Sequence, residues 1–164
     1  MPALAIADEL RDRGVRVSFL GARGRLEAEL VPKAGYEVDL LDLSGIDRKN
    51  PVKAARAVFQ AAAAVPKARK LIRSRGADAV VGGGGFVAGP AGVAARRLKL
   101  PLVLTEADRH LVLANRLLAR RADRLCLAFE IDGVSGENVR ITGRPVGRSV
   151  LNAYRARARA RFGI

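Results

Sequence analysis

The sequence contains no tryptophan, a single cysteine (Cys126), a single histidine (His110) and only 4% aromatic residues. Each shortage excludes something. One cysteine rules out an intramolecular disulfide and a cysteine-rich metal site, and it fits a reducing compartment. So few aromatic rings leave no platform for stacking bases. The arginines are scattered rather than gathered into a recognisable module, so a nucleic-acid partner is disfavoured. No run of about 18 uncharged apolar residues occurs, and no basic stretch leads into an apolar one at the N-terminus; neither a membrane span nor a signal peptide is expected. The G-x-S-x-G pattern of a nucleophile elbow is missing too.

What remains is a chain of 164 residues, 49% hydrophobic, enough for one globular domain with a real core. Its formal net charge is +14. That charge favours an anionic partner: a phosphorylated ligand, the negative face of a membrane or, disfavoured by the missing aromatics, nucleic acid.

Hydrophobic patterning predicts alternating helices and strands. Helices are expected over Pro2–Leu10, Leu26–Val31 (closed by Pro32 and Gly35), Pro51–Arg75, Gly89–Leu98 and Leu111–Arg121, and a basic one over about Arg148–Arg161. Strands are expected over Val15–Leu20, Val38–Leu43, Ala77–Val81, Leu100–Leu104, Leu125–Phe129 and Val139–Thr142. In the long Ala-rich helix, Val52, Phe59 and Leu71 are candidates for an apolar side, and Pro66 predicts a kink or two successive helices. Apolar strands alternating with helices indicate an α/β fold with a mostly parallel sheet covered on both faces.

In such sheets ligands bind beyond the carboxyl ends of the strands, where GGGGFVAGP, TEADRH and TGRPVGR fall. The glycine stretch offers bare backbone N–H groups and a helix start, suited to phosphate or simply to a tight turn. Glu106 and Asp108 can act as a general base or accept hydrogen bonds from sugar hydroxyls; Asp108 can equally cap the following helix. His110 reads as a surface residue. Arg144 and Arg148 either face a phosphate or are two more exposed arginines.

Taken in order, LVPKAGYEVDLLDLSGIDRKNP, VVGGGGFVAGPAGVAAR, LTEADRHLVLANRLLARRADRLCLAF and TGRPV resemble the N-terminal half of the MurG family. These glycosyltransferases move N-acetylglucosamine from UDP-GlcNAc to the undecaprenyl-pyrophosphate-linked acceptor lipid I. The resemblance implies a Rossmann-like domain, the acceptor-binding half of a GT-B enzyme, over residues 1–147, with 148–164 leading towards a C-terminal domain that binds most of the UDP-GlcNAc. It implies direct displacement at the anomeric carbon with no metal or cofactor. It also implies a cytoplasmic protein peripheral to the inner face of the cell membrane; from its basic charge, the Lys53–Arg73 helix with its surroundings is expected to contribute to docking on anionic lipid.

Residue by residue, Gly84, Gly85, Val87, Gly89 and Pro90 match a glycine-rich loop that helps hold the acceptor diphosphate. Phe86 and Ala88 replace a tyrosine and a serine there. Glu106 matches the glutamate of a His-Glu-Gln-Asn motif and is a candidate base; Asp108 stands at its substrate-contacting asparagine, and Asn115 matches an asparagine of the next helix. In Gly-Asn-Pro-Val-Arg the donor-contacting arginine corresponds to Gly147, so Arg144 or Arg148 must substitute. These departures leave open a sister GT-B enzyme with another acceptor, or a non-catalytic anion-binding module. The family begins with a strand and a glycine-rich loop ending in histidine, both preceding the helix that starts here at Met1-Pro2. The expectation is a fragment, inactive alone, with two unpaired strand edges or a gap in its core.

Overall fold

The computed structural model describes residues 2–43, 51–147, 150 and 155–163. In chain order these form α1 (Pro2–Asp12), β1 (Ser18–Ala22), α2 (Leu26–Lys33), β2 (Glu37–Leu41), α3 (Pro51–Ser74), β3 (Val80–Gly82), α4 (Gly85–Arg97), β4 (Leu102–Glu106), α5 (Leu113–Leu118), β5 (Arg124–Leu127), β6 (Val139–Ile141) and α6 (Arg155–Phe162). A 3-10 turn, Ala119–Arg121, extends α5. Every strand pair is parallel and helices cover both faces, as the α/β pattern predicts. The strands form two sheets, β1-β2 and β3-β4-β5-β6.

Alternation along β1 sends its side chains to two layers. Phe19 joins Val17 and Val38 against Ala7, Val31 and Tyr36, on the side of α1 and α2. Leu20 and Ala22 turn the other way, into a cluster with Leu41, Val65, Ala68, Ile72 and Ala94 from β2, α3 and α4. The second core gathers Leu102, Leu104, Leu125 and Leu127 of the larger sheet with Ala95 and Leu118. Gly82 lets β3 lie close to β4, since a Cβ there would sit 2.8 Å from Leu104 Cδ2.

Several expected boundaries move. β1 begins at Ser18 rather than Val15, and α2 runs through Pro32 to Lys33. α3 is one helix of 24 residues despite Pro66. The ring lies on the exposed side, as does Ala62, so the carbonyl that loses its donor meets water instead of core. Its buried face is Ala57, Val65, Ala68 and Ile72, with Leu71 packed beside them; Val52 and Phe59 are 76% and 75% exposed. The largest shift is at α4, which starts at Gly85, four residues before the expected Gly89. The start of the last basic helix, Arg148 included, lies outside the described residues.

Candidate functional site

The carboxyl ends of β3, β4, β5 and β6 and the first residue of α1 frame a cleft. Pro2, Gly83, Thr105, Glu106, Ala107, Cys126, Thr142, Gly143 and Pro145 line it. At about 40 Å³ it admits water or one charged group, not a sugar ring.

Two helices begin at this cleft. Gly84, with φ 79° and ψ −170°, is the N-cap of α4, and Gly85 follows at φ 75°. Any side chain at either position is strained, so the glycines are what allow the chain to leave β3 and enter the helix at once. The free donors are therefore the N–H groups of Gly85, Phe86 and Val87 in the first turn. α1 starts beside it, for a Cβ on Gly83 would lie 3.6 Å from Ala3 Cβ. Pro2 occupies its first position, where a missing N–H costs nothing, and Ala3 and Leu4 supply the donors. The partial positive ends of two helix dipoles thus meet at one place.

The predicted loop residues divide accordingly. Phe86 is exposed, with the Arg25 guanidinium 5.7 Å from its ring centroid. Val87 packs on the core beside α3, Ala88 is buried, Pro90 is fully buried, and Gly89 faces Ala114. Val87, Ala88, Gly89 and Pro90 are therefore helix residues rather than loop residues. None of these side chains lines the cleft, which reaches this stretch at Gly83, just before the first turn of α4.

Glu106, 5% exposed, holds the next loop together from inside. Its Oε1 accepts from the N–H groups of Ala107 (3.1 Å) and Asp108 (3.3 Å). Its Oε2 accepts from Val112 N–H (2.8 Å) and from Asn115 Nδ2 (3.1 Å), which also donates to the Thr105 carbonyl (3.0 Å). Val112, not Asp108, is the N-cap of α5, and Glu106 caps it from outside the helix. Asn115 lies fully buried beneath the loop, its Oδ1 without a partner among the described residues.

Asp108 and Arg144 meet above this clamp. Arg144 Nη2 donates to the Ala107 carbonyl (3.1 Å) and approaches Asp108 Oδ1 (3.5 Å), joining the loops after β4 and β6. His110 is exposed in the same loop and Gly147 is half-buried beyond it. Cys126 faces the cleft from β5; burial pushes its thiol up, against the smaller opposite pull of Arg124 and Arg140. No group of three or more potential metal ligands occurs among the described residues. Sequence reading missed two contributors, the α1 start and Arg25. Pro2 at a helix start was a visible signal for the first; nothing local marks the second, which the β1–α2 turn delivers.

The model described as the Glycosyltransferase family 28 N-terminal domain matches residues 1–127. The UDP-N-acetylglucosamine--N-acetylmuramyl-(pentapeptide) pyrophosphoryl-undecaprenol N-acetylglucosamine transferase of Nitrosococcus oceani is 42% identical over 164 residues, covering 99% of this chain and 46% of its own length. The protein of the same name from Colwellia psychrerythraea is 38% identical over 156 residues, 91% of this chain and 38% of its own. The crystal structure of Acinetobacter baumannii MurG superposes with a TM-score of 0.76 at 32% identity, covering 89% of this chain and 42% of that one. The chain thus spans less than half the length of these relatives. With its parallel sheets, its glycine-opened α4 and a match through residue 127, the chain belongs to glycosyltransferase family 28, as an N-terminal domain of the MurG type.

Proposed function

We propose that this chain is the acceptor-binding half of an enzyme that transfers N-acetylglucosamine from UDP-GlcNAc to a lipid-pyrophosphate-linked acceptor, lipid I, forming lipid II. The observation that carries the reading is the meeting of the α1 and α4 N-termini beside Gly83. Their free N–H groups suit the two phosphates of a pyrophosphate, and the narrow cleft between them takes charged oxygens while the sugar stays outside. Arg144 adds a cation at the rim. Residues 1–147 form this unit, and 148–164 lead towards the donor-binding domain.

The chain holds the acceptor and does not by itself turn it over. Both oxygens of Glu106 are engaged by backbone and Asn115 donors, which leaves no lone pair aimed at an acceptor hydroxyl. Asp108, exposed and beside Arg144, is better placed to contact a sugar hydroxyl.

Binding takes place at the membrane surface. α3 exposes Val52, Val58 and Phe59, and further along it Arg69, Lys70 and Arg73 line a shallow groove with Pro66. Each basic residue near an anionic leaflet contributes about 1 kcal/mol, screened by salt. No helix among the described residues is long and apolar enough to cross a membrane.

The test is binding of undecaprenyl pyrophosphate in neutral nanodiscs by the chain and by its Ala3→Pro variant, which removes one first-turn donor while keeping the helix start. Affinity is expected to fall about tenfold. Equal affinity would refute the paired-helix site. Sugar transfer is expected only when a donor-binding domain is supplied. Vesicle binding is expected to weaken with salt and to need anionic lipid.

A further inference from the structure

Ala22 to Arg25 form the tight turn that joins β1 to α2. Arg25 N–H donates to the Ala22 carbonyl at 3.3 Å, and Gly24, third in the turn, stands at φ 70°, where a side chain is strained. The turn carries two arginines with different fates. Arg23 is spent on Asp42, its Nε donating to Oδ1 at 2.7 Å. Arg25 pairs with no carboxylate among the described residues; its guanidinium crosses from β1 to the start of α4 and lies 5.7 Å from the Phe86 ring centroid.

Phe86 is the exposed second residue of α4. Helical side chains lean towards the N-terminus, so the ring lies back over the turn of Gly84 and Gly85 and holds Arg25 at the end where the α4 N–H groups are free. A ring attracts the charge without supplying an oxygen, so Arg25 keeps its donor fork for an oxyanion. The ends of α1 and α4 together present only about one positive charge, less than a pyrophosphate carries. The cleft, at about 40 Å³, has room for one charged group. A second phosphate therefore stays outside it and needs a further donor.

We propose, resting on the reading that α1 and α4 seat the acceptor's pyrophosphate, that Arg25 is the residue that selects a lipid pyrophosphate over a lipid monophosphate. The helix ends take the oxygens that the narrow cleft admits. Arg25, perched on Phe86, takes those of the phosphate left outside. A monophosphate satisfies the helix ends and leaves Arg25 without a ligand, so the preference between the two lipids resides in this one side chain. Phe86 acts through Arg25 as a positioning residue and touches no phosphate itself.

The test measures affinities of the full chain for undecaprenyl pyrophosphate and undecaprenyl monophosphate in neutral nanodiscs. The parent chain is expected to prefer the pyrophosphate by about tenfold or more, and Arg25→Gln to abolish that preference by weakening the pyrophosphate alone. Arg25→Lys keeps the charge but not the fork and restores the preference in part. Phe86→Leu removes the ring, leaves the backbone donors, and lowers the preference about threefold. Arg11→Gln controls for net charge, since Arg11 lies over Tyr36 in the last turn of α1, and it leaves the preference unchanged. The proposal is overturned if Arg25→Gln weakens both lipids equally or neither, or if Arg11→Gln has the same effect. Failure of the helix-end site is distinguishable: Ala3→Pro then binds pyrophosphate as the parent does, whereas failure of the Arg25 assignment alone leaves the Ala3→Pro loss in place. A parent chain that binds neither lipid overturns both.

Discussion

In the four-stranded sheet, Leu102, Leu104, Leu125 and Leu127 are all at most 1% exposed and pack on one another and on α4 and α5; in the two-stranded sheet only Leu41 is buried to that degree, with Ala22 at 2%, and charge does much of the fastening. Arg75, after α3, reaches Asp39 at 2.7 Å and also pairs with Glu37. Asp42, just past β2, accepts from Arg23 at 2.7 Å and Lys67 at 3.3 Å. On the far side, Tyr36 gives its hydroxyl to Asp8 at 2.7 Å and stacks edge-on with Phe19. Burial and the Asp8 bond push the Tyr36 phenol up. One sheet is thus an apolar core with a buried carboxylate clamp at its end, the other a thin layer laced by ion pairs at its rim. The difference teaches where the molecule opens first: burial is indifferent to salt and acid, and exposed ion pairs are not.

Leu104→Ala tests the strong side and has the largest expected effect, a loss of about 2–5 kcal/mol in urea unfolding. An unchanged midpoint would break the contrast at its root. Glu106→Ala comes next. It leaves three backbone N–H groups without their acceptor and takes one of two acceptors from Asn115 Nδ2, for a loss of about 3 kcal/mol, and exchange at Ala107, Asp108 and Val112 should quicken. If those amides stay protected, the loop after β4 is held by something other than this clamp.

On the weak side, Arg75→Ala should speed amide exchange in β1 and β2 and leave β4 and β5 as they were; equal acceleration throughout would show that the sheets open as one. Acid should do the same. Hydrogen bonds from Arg23 and then Lys67 hold the Asp42 carboxyl below its ordinary value of 3.8. Its folded form therefore contributes stability at neutral pH that is lost as pH falls through that lowered value, and β2 should loosen there before β4 does. The smallest effect sharpens the picture from the other direction. α4 closes with Leu100 N–H on the Ala95 carbonyl (3.0 Å) around Lys99, the one described non-glycine residue at positive φ, 59°. α1 closes the same way around Gly14. Lys99→Gly should stabilise the larger unit by about 1 kcal/mol in thermal unfolding.

Much of the fold was legible because it rests on local signals. Apolar runs between helical periods give the order of elements, and glycines mark the helix ends. The errors came where a partner outranked the local signal. Pro66 did not break α3 because its ring faces water, and Val52 and Phe59 lie outside the face that α3 buries. The candidate site was half legible. The loops after β3, β4 and β6 do converge, and Arg144 meets Asp108. Nothing in the residue order says that Glu106 points inward, that Arg25 crosses to Phe86, or that α1 starts beside α4.

By itself the sequence determined the parallel α/β alternation, the family and the need for glycine where β3 enters α4, because chain period and backbone freedom are properties of the chain alone. Only the tertiary structure decided which donors stay free and which carboxylate is spent on holding a loop. Those depend on how buried polar groups are satisfied by distant residues, and no local pattern records that.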